Sequence, residues 1–177
     1  MRTMLTDFMW QEQPPATTSA IATCLSEPGS LTERLLASGR RFDVQVLFQS
    51  DNTALDQEAA LLGIAPRAVL HARHVLLLLD GIPVVMARSV CRSACPQWSA
   101  LLDRGSRSLG LTLFGGLPQL VRGPLRFNML QPPDELHALA QAYSQAKQLP
   151  ARRCLFTLHD APLLVSEIFL PELESLA

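Results

Sequence analysis

The stretch Val75-Leu76-Leu77-Leu78-Leu79-Asp80-Gly81-Ile82-Pro83-Val84-Val85 decides the fold. An Asp-Gly pair between two apolar runs marks a tight hairpin, because the two-residue turn that matches strand twist needs positive φ at both central positions. The flanking runs, Arg67 to Leu79 and Val84 to Cys91, are rich in Val and Leu and read as the paired strands. A second hairpin follows near the C-terminus, where Cys154 to Leu158 and Leu163 to Leu170 flank His159-Asp160-Ala161-Pro162. A proline follows each turn, and five residues beyond it stands a charge, Arg88 in one hairpin and Glu167 in the other.

Working outward, Phe42, Val44, Val46 and Phe48 alternate with Asp43, Gln45 and Gln49, which predicts a strand with one dry face. Ser30-Leu31-Thr32-Glu33 has capping-box spacing and Gly39 stands where a C-terminal cap falls, so a short helix is expected over 31–38. Ala54 to Leu62, closed by Gly63, and Gln97 to Leu102 also read as helical, while Leu109 to Phe114 fits either type. After Pro132-Pro133, the spacing of Leu136, Leu139, Ala140 and Tyr143 predicts an amphipathic helix over 134–148. Hairpins interspersed with short helices predict a single α+β domain, an antiparallel β-sheet with helices packed on one face.

The 177 residues carry 15 Lys and Arg against 16 Asp and Glu, a net charge of -1, which argues against a nucleic acid partner. Apolar types make up 48% and charged types 18%, so disorder is excluded for most of the chain. Ser108 to Val121, an uncharged run that no other exceeds in length, is broken by glycines and a proline and is too short to span a membrane. Met1 to Ser19 carries Arg2, Asp7, Glu12 and the pair Pro14-Pro15, with no apolar core of a signal peptide. Cys24, Cys91, Cys95 and Cys154 lack the spacing of a metal site and read as free thiols of a cytoplasmic protein.

With charge so scarce, charges on dry strands stand out. Side chains alternate along a strand, so Arg73 shares a face with His71, Val75 and Leu77. A two-residue turn at Asp80-Gly81 places Arg88 directly opposite Arg73, a four-residue turn moves it one diagonal step, and a three-residue turn separates the two. Glu167 enters the stripe of Leu163, Val165 and Phe169. Either an arginine pairs with Glu167 as a structural ion pair, or these charges line a pocket for a small anion. His71 and His74 point to opposite faces and cannot share a metal, His137 is expected on the surface of its helix, and His159 sits at a turn. No nucleophile elbow or phosphate-binding glycine loop is present.

Four segments taken together resemble the chorismate lyases: Ser30-Leu31-Thr32-Glu33-Arg34-Leu35; Arg73-His74-Val75-Leu76-Leu77 running to Asp80-Gly81-Ile82-Pro83 and Ala87-Arg88-Ser89-Val90; Leu109-Gly110-Leu111-Thr112-Leu113-Phe114; and Pro162 to Pro171 with its Glu167-Ile168-Phe169-Leu170-Pro171 ending. The match implies a family-like domain over 29–177 behind an N-terminal extension over 1–28, with helical flaps over an enclosed ligand site. It implies removal of pyruvate from chorismate to give 4-hydroxybenzoate for ubiquinone biosynthesis, without cofactor or metal, by a cytoplasmic monomer. By matching position Arg73 holds a carboxylate, Glu167 meets the ring hydroxyl, Leu31 and Leu109 line the site, and Arg88 is a secondary substrate-binding residue. Leu31 replaces a methionine of the bacterial pattern, Ala87 replaces a glycine, and the segment 115–150 is longer than the pattern. The alternative reading is a non-catalytic small-anion sensor, since the lyase fold resembles the effector-binding domains of certain transcription regulators. A chain that uses its apolar surface as a protein interface is the third.

Overall fold

The computed structural model describes residues 9–177; Arg2 and Asp7 of the polar N-terminal stretch lie outside the described residues. In chain order the elements are α1 (Ser19–Leu25), α2 (Leu31–Leu36), β1 (Phe42–Thr53), α3 (Asp56–Leu62), β2 (Val69–Leu79), β3 (Ile82–Arg92) and α4 (Pro96–Leu102). There follow α5 (Leu109–Leu113), β4 (Leu120–Arg122), β5 (Arg126–Leu130), α6 (Glu135–Ala140), β6 (Leu149–Leu158), β7 (Ala161–Phe169) and α7 (Leu173–Leu176). The strands form one antiparallel seven-stranded sheet in the order β1-β2-β3-β7-β6-β4, with β5 also paired to β6.

Both hairpins close through two-residue turns with positive φ at both positions, 51° and 80° at Asp80 and Gly81, 48° and 64° at His159 and Asp160. The α+β antiparallel class stands. The two hairpins lie side by side because β3 pairs with β7 from Val85 opposite Phe169 to Cys91 opposite Leu163. Helices α1, α2, α4 and α5 cover one face, where Leu25, Leu31 and Leu35 pack on Val75, Leu77 and Phe169, and Trp98 and Leu109 pack on Cys154 and Phe156. The reverse face carries helices as well: Ala59 and Leu62 of α3 pack on Leu70 and Leu164, and Leu136 and Ala140 of α6 pack with Trp10 on Leu76 and Ile168.

One expected contact is overturned. The turn at Asp80-Gly81 has two residues, yet Arg73 does not oppose Arg88. The register slips between Leu77 and Leu78, with Leu78 opposite Pro83 but Leu77 opposite Val85, so Val84 is an extra residue in β3. Its carbonyl accepts from the Leu170 amide at 2.9 Å. A one-residue slip sends every later side chain to the other face. Arg73 therefore pairs with Ser89, and Arg88 stands opposite His74 on the reverse face.

There Arg88 is fully buried, and its Nε and Nη2 donate to the two carboxylate oxygens of Glu58 on α3 at 2.6 and 2.8 Å. Its Nη1 meets His74 Nε2 at 2.6 Å, with the Phe48 ring 5.4 Å from the imidazole. The group is a structural ion pair that bolts α3 to the sheet, so Arg88 is withdrawn from the substrate-binding set.

Two smaller differences share a cause. Helix α6 ends at Ala140 rather than running on to Gln148, because the chain turns back and enters β6 at Leu149 to pair with β5. That return segment buries His137, whose Nε2 lies 3.1 Å from the Ala146 carbonyl, instead of leaving it on a helix surface. At the sheet edge, β1 has its own register shift between Val46 and Phe48, which leaves both of them more than a third exposed and limits the dry face to Phe42 and Val44.

Burial and the Arg88 charge bring the His74 pKa down from 6.5 to about 4. The unfolded chain takes up this proton below pH 6.5 while the folded protein resists it until about pH 4. The neutral imidazole's contribution is thus complete above pH 6.5 and is lost as pH falls toward 4, on the order of 3 kcal/mol. Urea unfolding at several pH values across this window is expected to show that slope, and His74→Gln is expected to flatten it. Glu58→Gln strands the Arg88 charge and is expected to cost about 3 kcal/mol at pH 7 by the same measurement.

Candidate active site

The sheet's helix-covered face presents three cross-strand rows side by side. The middle row runs Gln49, Arg73, Ser89, Val165, Cys154; one neighbour runs Val75, Ala87, Glu167, Arg152; the other runs His71, Cys91, Leu163, Phe156, Arg122. A pocket stands on these rows, walled by Val44, Leu77, Leu125 and Phe156 and roofed by Leu31 and Thr32 of α2 and by Ser108, Leu109, Gly110 and Phe114 at α5. An apolar floor and roof with a few charged side chains is the usual composition of a small-molecule site.

The roof is built from two short helices that begin alike. Ser30 Oγ accepts from the Glu33 amide at 3.3 Å, and Ser108 Oγ accepts from the Leu111 amide at 3.5 Å, so each serine caps its helix. The first residue of each helix, Leu31 and Leu109, then faces the pocket. Thr32 Oγ1 and Ser108 Oγ share a hydrogen bond of 2.6 Å that latches the two together. Gly110 permits the approach, since a Cβ there would lie 2.9 Å from Thr32 Oγ1.

Arg73 is 2% exposed and has main-chain partners: its Nη2 donates to the carbonyls of Gly105 and Arg107 at 2.9 and 3.3 Å, and its Nε has no partner. Burial, and then the nearby Arg104 charge, lower its pKa from the free value. Such a guanidinium is a desolvated cation with donor capacity to spare, which favours an incoming anion.

Glu167, in contrast, is already partnered. Arg152 Nε donates to its Oε2 at 2.5 Å, across the register pair that joins β6 to β7. Arg152 Nη1 also reaches the carbonyls of Cys24 and Leu25 at 3.3 Å and of Glu27 at 2.7 Å. One buried side chain thus ties the carboxylate in the floor to the segment that leads into α2. A third cation, Arg122 of β4, also lines the pocket; its Nη1 donates to the Pro28 carbonyl and its guanidinium lies 4.6 Å from the Phe114 ring centre. Burial pushes the Cys154 thiol up between them, with Arg122 and Arg152 acting the other way.

Four of the residues singled out in the sequence, Leu31, Arg73, Leu109 and Glu167, converge on this pocket, and Arg88 lies behind the sheet. Neither arginine of the first hairpin pairs with Glu167. Arg152 escapes the sequence reading because a four-residue turn over His159 to Pro162 sets Cys154, not Arg152, opposite Glu167. A two-residue turn pairs Leu158 with Ala161 and so carries Arg152 opposite Glu167. Arg122 lies in the segment 115–150, where no strand was expected.

The chain as a whole is similar to known proteins. Residues 4–175 match the family described as Chorismate lyase. A relative from Burkholderia pseudomallei (strain 1710b), named "Probable chorismate pyruvate-lyase 1", is 39% identical over 173 residues, covering 96% of this chain and 93% of that protein. Another from Azoarcus sp. (strain BH72), named "Probable chorismate pyruvate-lyase", is 41% identical, covering 92% and 90%. Among solved structures, the effector domain of PhnF from Mycobacterium smegmatis aligns with a TM-score of 0.54 at 18% identity over 81% of this chain and 90% of that one. A GntR-family transcriptional regulator from Bacillus cereus aligns with 0.53 at 17% identity over 74% and 92%. The regulators share the fold alone. A match over residues 4–175, and relatives of near-equal length at 39% and 41% identity, show that the chain belongs to the chorismate lyase family.

Proposed function

We propose that this chain removes pyruvate from chorismate to give 4-hydroxybenzoate, upstream of the ubiquinone head group, as a cytoplasmic monomer that needs neither metal nor cofactor. The observation that carries the reading is Arg73, a buried cation with unspent donors, facing the same roofed apolar pocket as the ion-paired Glu167. Four buried free thiols support a reducing compartment. No described helix is long and apolar enough to cross a membrane.

The reaction asks for position more than for a nucleophile. The bond from the ring to the ether oxygen breaks, a ring proton leaves, and the electron pair completes the aromatic ring. The departing enolpyruvate takes up a proton and becomes pyruvate. Aromatisation supplies the driving force, so the protein's part is to hold the ring and stabilise charge. Arg73 takes the ring carboxylate with its free Nε. Glu167, fixed by Arg152, accepts from the ring hydroxyl. Leu31 and Leu109, held down by the Thr32–Ser108 latch, keep water from the reacting atoms.

Purified protein given chorismate in the presence of a chelator is expected to release 4-hydroxybenzoate and pyruvate in equal amounts. Binding without turnover would instead identify an anion sensor on the same fold, and no binding would leave an interaction protein. Arg73→Ala strips the partner from a desolvated carboxylate and is expected to cost at least about 2 kcal/mol, near 30-fold in kcat/KM. Wild-type kinetics in that variant would remove Arg73 from the site.

A further inference from the structure

We infer that Arg122 receives the second carboxylate of the substrate, the one carried by the departing enolpyruvyl group, and so distinguishes substrate from ring product. The inference rests on chorismate being the substrate. Charged side chains lining the pocket are Arg73, Arg122, Arg152 and Glu167, three cations against one anion. Arg152 and Glu167 neutralise each other, and Arg152 Nη1 is spent on three carbonyls. That leaves two positive charges over, Arg73 and Arg122, and chorismate brings two negative ones.

The state of Arg122 fits this role. Its guanidinium plane is set by the Phe114 ring beneath it and by the Pro28 carbonyl on Nη1, while Nε is buried without a partner. Among the described residues no carboxylate forms an ion pair with it. An arginine held in a fixed plane with open donors suits a planar carboxylate, because little side-chain freedom remains to be lost on binding.

Its place in the sheet separates it from Arg73. Arg73 stands on β2 and Arg122 on β4, four strand spacings apart in the sheet order, roughly 19 Å at the backbone. Two long side chains reaching inward across that distance bracket a ring-sized dianion, with Glu167 on the strand midway between them. After the ether bond breaks, the ring product holds one carboxylate, which Arg73 takes. The charge that builds on the enolpyruvate oxygen, together with its carboxylate, stays with Arg122. Its electrostatic contribution is therefore made to substrate and leaving group and not to 4-hydroxybenzoate.

The test compares chorismate and 4-hydroxybenzoate on the wild type, Arg122→Gln and Arg122→Lys. Arg122→Gln is expected to lower kcat/KM for chorismate 30-fold or more, with calorimetric affinity for 4-hydroxybenzoate held within threefold. Arg122→Lys restores a cation on the same strand and is expected to recover part of the loss. Wild-type kcat/KM in Arg122→Gln overturns the inference, and so does a parallel loss of affinity for both compounds, which would mean that Arg122 only secures the Pro28 segment. If the wild type binds chorismate without turning it over, the lyase reading falls, and the same comparison made on chorismate affinity still decides the role of Arg122. If it binds neither compound, both fall.

Discussion

The extra residue at Val84 is the constraint on which the rest depends. Without it, Arg73 and Arg88 would face each other across β2 and β3 on one dry surface, and their mutual repulsion would have to be relieved by a counter-ion. With it, the two cations part company and meet different chemistry. On the reverse face Arg88 finds Glu58 and His74 and becomes part of the framework. On the covered face Arg73 finds only carbonyl oxygens and remains electrostatically open. The bulge thus turns a like-charge clash into a division of labour between stability and binding.

A second constraint joins floor to roof. Short helices such as α2 and α5 hold little stability of their own, so their position over the pocket has to come from tertiary contacts. Part of it is apolar packing, Leu31 and Leu35 on the sheet and Leu109 and Leu113 against Phe156. Part is polar and directional: Arg152 and Arg122 reach up from β6 and β4 to the carbonyls between Cys24 and Pro28, just ahead of α2. Fixing the main chain through arginines that also line the pocket couples the roof to the electrostatics beneath it.

The sequence was legible where local chemistry decides structure. Asp80-Gly81 carries residue types that accept positive φ and the first hairpin closes there, whereas the second closes at His159-Asp160, two residues tighter than the four-residue turn His159 to Pro162 expected from the sequence. The Ser30 capping box likewise marks α2, and Gly63 marks the end of α3. What escaped the sequence depends on non-local balance. Nothing in Pro83-Val84-Val85 announces that one residue will bulge, because the bulge is stabilised by an amide from Leu170, far along the chain. His137 looks exposed on a helical wheel and is buried only because the chain doubles back to feed β6. The candidate site was half legible for the same reason: Arg73 and Glu167 stand out as charges in dry stripes, whereas Arg152 and Arg122 require the strand ends and the edge strand to be known.

The pocket's arginines differ in their choice of partners. A buried cation neutralised by a resident carboxylate, as Arg88 is by Glu58, presents no net charge to a ligand. A buried cation held by main-chain carbonyls keeps its full charge, at a cost in desolvation that only a bound anion offsets. Arg73 is of the second kind, half-buried Arg122 on its single carbonyl approaches it, and Arg152 is of the first in the very same pocket. The protein's own side chains therefore leave the pocket with excess positive charge inside an apolar shell. Anything that supplies negative charge of matching geometry gains electrostatic energy there, and it stabilises the fold by mass action. The pocket is built for an anion before any detail of the ligand is considered, and the scarcity of charge elsewhere on the helix-covered face keeps that preference undiluted.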